Sequence, residues 1–268
     1  MLVNVNHSPL YAYTAGKAFN PILPTMVFIH GVLNDHSVWI LQSRYFANHG
    51  YNVLAIDLPG HCKSAGKVPT SVEEAAQTVI ALLDVLEIPQ ATLIGHSWGA
   101  LIALEACASA PQRVRHLALL GVAFPMKVSP GLLDAAVNAP MKGIDMVNTF
   151  SHSTLAPPPS TLGPGTWLYG GSRALMRRVL ASNAEENVFS IGFHACNNYT
   201  RGEHAIGEVA CPVLFLMGAN DQMTPPKAAQ GLVQFAAQPT SVTVQAGHAL
   251  MSEAPDAVLD ALLVFLAK

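Results

Sequence analysis

Gly95-His96-Ser97-Trp98-Gly99 constrains this chain more than any other stretch. The apolar run Ala91-Thr92-Leu93-Ile94 precedes it and reads as a buried strand. From Ala100 to about Ala110 an apolar, alanine-rich helical pattern follows. Strand, Gly-x-Ser-x-Gly, helix is the context of a serine presented on a sharp turn. The turn strains the serine backbone, and glycine on either side removes a Cβ that would strike neighbouring backbone. The serine stands at a helix N-terminus, where free N–H groups and the helix dipole favour a developing negative charge.

The rest of the chain supplies the frame. Met26-Val27-Phe28-Ile29 is too short and apolar for a surface helix and reads as a strand buried on both faces. Asn52 to Leu58, His116 to Val122, Pro212 to Met217 and Ser241 to Gln245 read the same way. Leu2 to Ala15 contains two short strand-like pieces around His7-Ser8-Pro9, which fits an edge hairpin. Helical spacing covers Val38 to Asn48, and Ser71 with Glu74 forms a capping box that opens a helix through Leu86. A final helix is expected over Ala254 to Ala267. Strand and helix alternate, which predicts βαβ units in a mainly parallel sheet.

The alternation breaks between about Phe124 and Glu208. Pro157-Pro158-Pro159, Pro164 and Gly170-Gly171 punctuate helical patches at Leu132–Val137, Arg173–Ala181 and Glu185–Phe189, and no strong strand run appears. The expected division is a core of residues 1–123 and 209–268 with a helical insertion, 124–208, over the sheet. A loop is expected near Ala156 to Gly165, and Arg173, Arg177 and Arg178 as a solvated helix face.

A length of 268 residues suits one α/β domain with an insertion. Net charge is -3, without the basic stripe of a nucleic-acid binder. Met1 to Asn6 carries no basic segment leading into an apolar one, and no apolar run is long enough to span a membrane. Cys62, Cys107, Cys196 and Cys211 are widely spaced, with no C-x-x-C pair. They read as free thiols of a cytoplasmic protein that uses no metal and no cofactor.

A serine hydroxyl needs a base, and the base needs a third group to hold its tautomer. In an open parallel sheet such partners lie just after the strands. After the strand ending at Met217 the chain reads Gly218-Ala219-Asn220-Asp221; after the one ending at Gln245 it reads Ala246-Gly247-His248. The order serine, acid, histidine assigns Ser97 as nucleophile, Asp221 as orienting acid and His248 as base. Eleven histidines are present, so position decides. His30 and His96 also follow strands, but each adjoins a glycine turn and shapes a loop or the oxyanion region. Asp57 is the runner-up acid; its place before Leu58-Pro59-Gly60 suits loop bracing, and Asp256 and Asp260 fall on the last helix as solvated groups. One oxyanion donor is expected from Trp98 N–H, after the nucleophile. The other is expected from Val32 N–H, in the loop opened by His30-Gly31.

With these residues in place the chain resembles the α/β-hydrolase fold superfamily. The resemblance rests on Phe28-Ile29-His30-Gly31, Asp57-Leu58-Pro59-Gly60-His61, Gly95-His96-Ser97-Trp98-Gly99, Gly218-Ala219-Asn220-Asp221 and Gly247-His248. It implies an eight-stranded, mostly parallel sheet flanked by helices, with an antiparallel second strand and a helical cap after strand 6. Cys62 departs from it, since relatives commonly carry glycine there. Haloalkane dehalogenases and epoxide hydrolases of this fold use an aspartate nucleophile, which Ser97 argues against. Ester, lactone or thioester hydrolysis, C–C bond hydrolysis and cofactor-free perhydrolysis remain. Residues His30 to Trp39 also resemble hydrolase-like small-molecule receptors of the fold. The expected reading is a carboxylesterase, monomer or homodimer, acting on a small apolar or aromatic ester. His30, Gly31, Phe124, Met126, Trp167, Tyr169 and His194 are expected to contact the substrate, with Met141, Met146, Leu168 and Phe193 as further cap candidates.

Overall fold

The computed structural model describes residues 1–154 and 166–267. The loop expected near 156–165 lies outside the described residues. Strands β1 (Leu2–Val5) and β2 (Ser8–Tyr13) form the edge hairpin. Then come β3 (Thr25–Ile29), α1 (Ile40–Asn48), β4 (Asn52–Ile56), α2 (Val72–Val85), β5 (Ala91–His96), α3 (Trp98–Ser109) and β6 (Val114–Leu120). Five helices follow: α4 (Pro130–Asn138), α5 (Pro140–Ser151), α6 (Leu168–Ala181), α7 (Val188–Asn198) and α8 (Gly202–Gly207). The sheet resumes with β7 (Val213–Gly218), α9 (Gln230–Phe235) and β8 (Pro239–Val244), and the chain closes with α10 (Leu250–Glu253) and α11 (Pro255–Leu266).

All eight strands join one sheet in the order β1-β2-β4-β3-β5-β6-β7-β8. β2 is antiparallel to both its neighbours, and every pair from β4 to β8 is parallel. The inner strands are buried on both faces because helices cover both. Val27 and Ile29 pack toward the α2 and α3 side; Met26 and Phe28, alternating with them, pack toward α1 and α11.

Local signals account for most boundaries. Ser71 accepts from Glu74 N–H, and Glu74 accepts from Thr70, so α2 is capped at both ends of its first turn. The helix expected from Val38 instead begins as a 3-10 turn, His36–Trp39, because the Asp35 carboxylate accepts from Ser37 N–H and ends the extended chain there. The patch at Glu185–Phe189 is corrected as well. Asn183 accepts from Glu185 N–H and Glu186 N–H in a turn, and α7 starts only at Val188, under the Asn187 side chain. Cys62 adopts φ +47°, the left-handed region where glycine is unstrained, and its N–H donates to Ser182 Oγ.

The inserted helices do not behave as one unit. Residues of α5, α6 and α7 line the same cavity as Ser97, whereas α8 lies against α3. Just before α8, Tyr199 O–H and Arg201 both donate to Glu105 on α3. Arg178 is not purely solvated: its guanidinium donates to buried Asp35 in the core at 2.7 Å. Arg173 pairs with Asp145 on the neighbouring helix.

Candidate active site

Ser97 sits at φ +56°, ψ −117°, a region that non-glycine residues occupy only when the surroundings enforce it. The enforcement is visible on both sides. A Cβ on Gly95 would strike the Gly99 carbonyl, and one on Gly99 would strike the carbonyls of Ile29 and His30. Strand β5 and helix α3 therefore meet at a spacing only glycine permits. Ser97 N–H donates to Leu120 O at 2.9 Å, which fastens the turn to β6.

Asp221 and His248 come together from the ends of β7 and β8. His248 Nδ1 lies 2.8 Å from Asp221 Oδ2, and both side chains are buried. Asp221 Oδ1 also accepts from the N–H groups of Met223 and Thr224, each at 2.8 Å. Burial alone would raise the Asp221 pKa; the His248 imidazole and these hydrogen bonds outweigh it and hold the carboxyl below its ordinary value. An ionised Asp221 accepts the Nδ1–H, so Nε2 carries the free lone pair. Gly218 allows the two loops to approach, since a Cβ there would meet the backbone of Ala246 and Gly247. Ser97 and His248 line one cavity of about 290 Å³.

Trp98 and Val32, the expected backbone donors, belong to the two segments that flank Ser97. Trp98 is the first residue of α3, so its N–H has no intrahelical acceptor. Val32 lines the cavity, and Gly31 packs against Ser97, where a Cβ would come within 3.1 Å of the Ser97 Cβ. Gly192 of α7 rests on both residues: a Cβ there would lie 3.1 Å from Val32 Cγ2 and 3.5 Å from the Trp98 ring.

Three buried histidines surround this centre. His30 is wholly buried and does not face the cavity; its Nδ1–H donates to Gly31 O and its Nε2 accepts from Leu58 N–H. His30 thus ties the Val32 loop to the Asp57 loop. His96 Nε2 meets His248 O at 2.8 Å and braces the histidine loop. His61 bonds to Pro59 O. Burial first, then neighbouring imidazoles, pushes His61 and His96 down to about 3. Burial likewise lowers His30.

The residues expected to contact the substrate divide between the cavity and other places. Trp167, Leu168 and Phe193 line the cavity. Phe124 does not: it packs edge-on to Tyr199 and against Gly202, turned toward α8. Met126 belongs to the core cluster, His194 is exposed on α7, and Tyr169 stacks on Trp167 from behind while its hydroxyl reaches Thr149. Met141 and Met146 are likewise absent from the lining. The missed lining comes largely from the segment after β3, with Asn34, Ser37, Val38 and, on α1, Leu41, and from Met176, Met223 and Met251. Only the short distance of residues 34–41 from Val32 could have pointed to them.

Asp57 braces its loop: it accepts from the backbone and ring of His36 and from Lys63 N–H. Asp35, His36 and Asp57 form a metal-like cluster among the described residues. Their donor set does not suit a cation. Arg178 already neutralises Asp35, and hydrogen-bond donors occupy both carboxylates.

Comparison with known proteins places the fold. A family model described as the Alpha/beta hydrolase family matches residues 26–261. The dihydrolipoyllysine-residue acetyltransferase component of the acetoin cleaving system of Pseudomonas putida is 29% identical over 255 residues, 91% of this chain and 63% of that protein. The corresponding Cupriavidus necator protein is 35% identical over 117 residues, 43% of this chain and 31% of its own length. This chain therefore spans less than two thirds of either. The sn-1-specific diacylglycerol lipase ABHD11 of Mus musculus is 26% identical over 256 residues, 91% of this chain and 81% of that one. Among solved structures, the enol-lactonase from Burkholderia xenovorans LB400 aligns over 100% of both chains with a TM-score of 0.85 at 21% identity, a likeness of fold. Fold, strand-end geometry and family match converge, and the chain belongs to the Alpha/beta hydrolase family.

Proposed function

We propose that this chain is a serine hydrolase that cleaves carboxylic esters of small apolar or aromatic compounds through an acyl-enzyme. The observation that carries the reading is the Asp221–His248 hydrogen bond at 2.8 Å beside a strained Ser97 in one cavity. His248 Nε2 takes the Ser97 proton as Oγ attacks the ester carbonyl. Negative charge on the carbonyl oxygen falls to Trp98 N–H and Val32 N–H, aided by the α3 dipole. The imidazolium returns the proton to the departing alcohol, and water repeats the sequence on the acyl group. Residues of α5, α6 and α7 act as a lid that excludes bulk water and shapes the substrate.

The cavity wall supports an uncharged substrate. Among the described residues it contains no Asp, Glu, Lys or Arg side chain, and Val38, Leu41, Val147, Met176 and Phe193 dominate it. Lactones undergo the same attack at the same carbonyl, and the enol-lactonase likeness makes them the second substrate class to try. No helix among the described residues is long and apolar enough to cross a membrane.

Ser97→Ala is the test. Hydrolysis of short p-nitrophenyl esters should fall to near background, and unchanged activity rejects the mechanism. Steady-state turnover separates the enzyme from a hydrolase-like receptor: a single slow burst with stable modification of His248 identifies the receptor.

A further inference from the structure

Thr224 is a residue that the serine mechanism outlined above does not use. It is 3% exposed, and its hydroxyl oxygen lies 3.0 Å from His248 Nδ1, 2.7 Å from Asp221 Oδ2 and 2.9 Å from Gly121 O. A hydroxyl has one proton and two lone pairs, so it cannot donate fully to both oxygens. Contact length and acceptor charge place that proton. Asp221 Oδ1 already receives two N–H groups, and Oδ2 receives His248 Nδ1–H. Two oxygens 2.7 Å apart require a proton between them, so Thr224 donates to Asp221 Oδ2, and Gly121 O at 2.9 Å is the weaker acceptor of the same proton.

From this we infer that Thr224 is a positioning residue of the Asp221–His248 pair. Its O–H donates to Asp221 Oδ2, with Gly121 O as the second acceptor, while its lone pair shares the His248 Nδ1–H with Asp221 Oδ2 in a three-centre hydrogen bond. The inference rests on the proposed roles of Asp221 and His248. Two acceptors, rather than one, fix the imidazole plane and face the charge that the ring gains when it takes the serine proton. The arrangement joins three strand ends: Gly121 after β6, Thr224 after β7 and His248 after β8. Gly121 completes it. It adopts φ +54°, and a Cβ there would lie 3.2 Å from His248 Nδ1 and Cε1. The ring therefore rests on a glycine whose carbonyl also contacts the Thr224 hydroxyl.

The test compares Thr224→Val, which keeps the branched shape and removes the hydroxyl, with Thr224→Ser, which keeps the hydroxyl. Two readouts are needed: the low-field imidazole N–H resonance of ¹⁵N-histidine-labelled protein, and kcat and KM for p-nitrophenyl acetate. In Thr224→Val the resonance should move further downfield, because Asp221 becomes its sole acceptor. The kcat should fall roughly three- to ten-fold, the rate equivalent of one net hydrogen bond, while KM stays near the parent value. Thr224→Ser should match the parent in both readouts. Parent-like resonance and kcat in Thr224→Val overturn the inference. So does a Thr224→Ser enzyme as impaired as the valine variant, since the methyl group would then matter and the hydroxyl would not. If the valine variant does not fold, Thr224→Ala makes the same comparison. Ser97→Ala distinguishes the two readings: it should lose turnover and keep the resonance. Turnover surviving in it rejects the serine mechanism, while the resonance alone still decides the role of Thr224.

Discussion

Glu253 and Ser153, separated by 100 residues, are joined by a 2.7 Å hydrogen bond from the serine hydroxyl to Glu253 Oε2. The same buried carboxylate accepts from the N–H groups of Ser153, Thr154 and Gly247. Gly247 precedes His248, and Ser153 follows α5, so one side chain clamps the histidine loop to the inserted helices. Ala249 N–H reinforces the clamp by donating to Ser151 O. In Glu253→Gln an amide N–H₂ must face donors it cannot bond. A cost of about 2 kcal/mol follows, near the penalty for an unmatched buried polar group. For a chain of this size that lowers Tm by roughly 4–8 °C. Ester kcat should fall with it, and Ser153→Ala, which removes one donor only, should cost less. A Glu253→Gln protein with parent Tm would contradict the clamp.

Asp221 and Asp57 separate by what they hold. Asp221→Asn should lower turnover by roughly 10⁴-fold, the scale seen when an orienting carboxylate is neutralised in a serine protease, with circular dichroism unchanged. Asp57→Asn should keep most of the turnover and lose thermal stability, because Asp57 holds His36 and Lys63 N–H. The reverse outcome would make Asp57 the catalytic acid.

Trp167 and Tyr169 should no longer behave alike. Trp167 lines the cavity and is 59% exposed, so it forms part of the mouth. Tyr169 supports it by stacking at 5.9 Å. Trp167→Ala should change the ratio of kcat/KM between bulky and short esters. Tyr169→Ala should change that ratio less. Equal losses for every ester in both variants would remove Trp167 from the substrate path.

Acid should unfold this protein early. Burial holds His61 and His96 at about 3, against about 6.5 in an unfolded chain. Below pH 6.5 the unfolded chain takes up protons that the folded protein refuses until about pH 3. Stability is therefore full above about pH 6.5 and falls as pH drops through that window. Each histidine contributes a slope of about 1.4 kcal/mol per pH unit near pH 5, and His30, lowered in the same direction, adds to it. Denaturant midpoints at pH 7 and pH 5 measure the slope. His61→Gln should flatten it by about one proton, and a pH-independent midpoint would show that these imidazoles are charged in the folded state.

Local sequence determined the frame and the order of the candidate triad. Short apolar runs define inner strands because both faces must be buried. Gly95 and Gly99 mark the one turn tight enough to strain Ser97. The rule that sites gather at strand carboxyl ends then picks Asp221 and His248 from many acids and histidines. Each of these signals acts over a few residues, so it can be read along the chain. The cavity wall, the His30 brace, the Arg178–Asp35 pair, the Glu253 clamp and the Thr224 hydroxyl depend on segments far apart in sequence. No periodicity or cap encodes which distant donor a buried carboxylate will meet. Packing decides that, because a buried polar group must find its partner among whatever groups the fold brings alongside it.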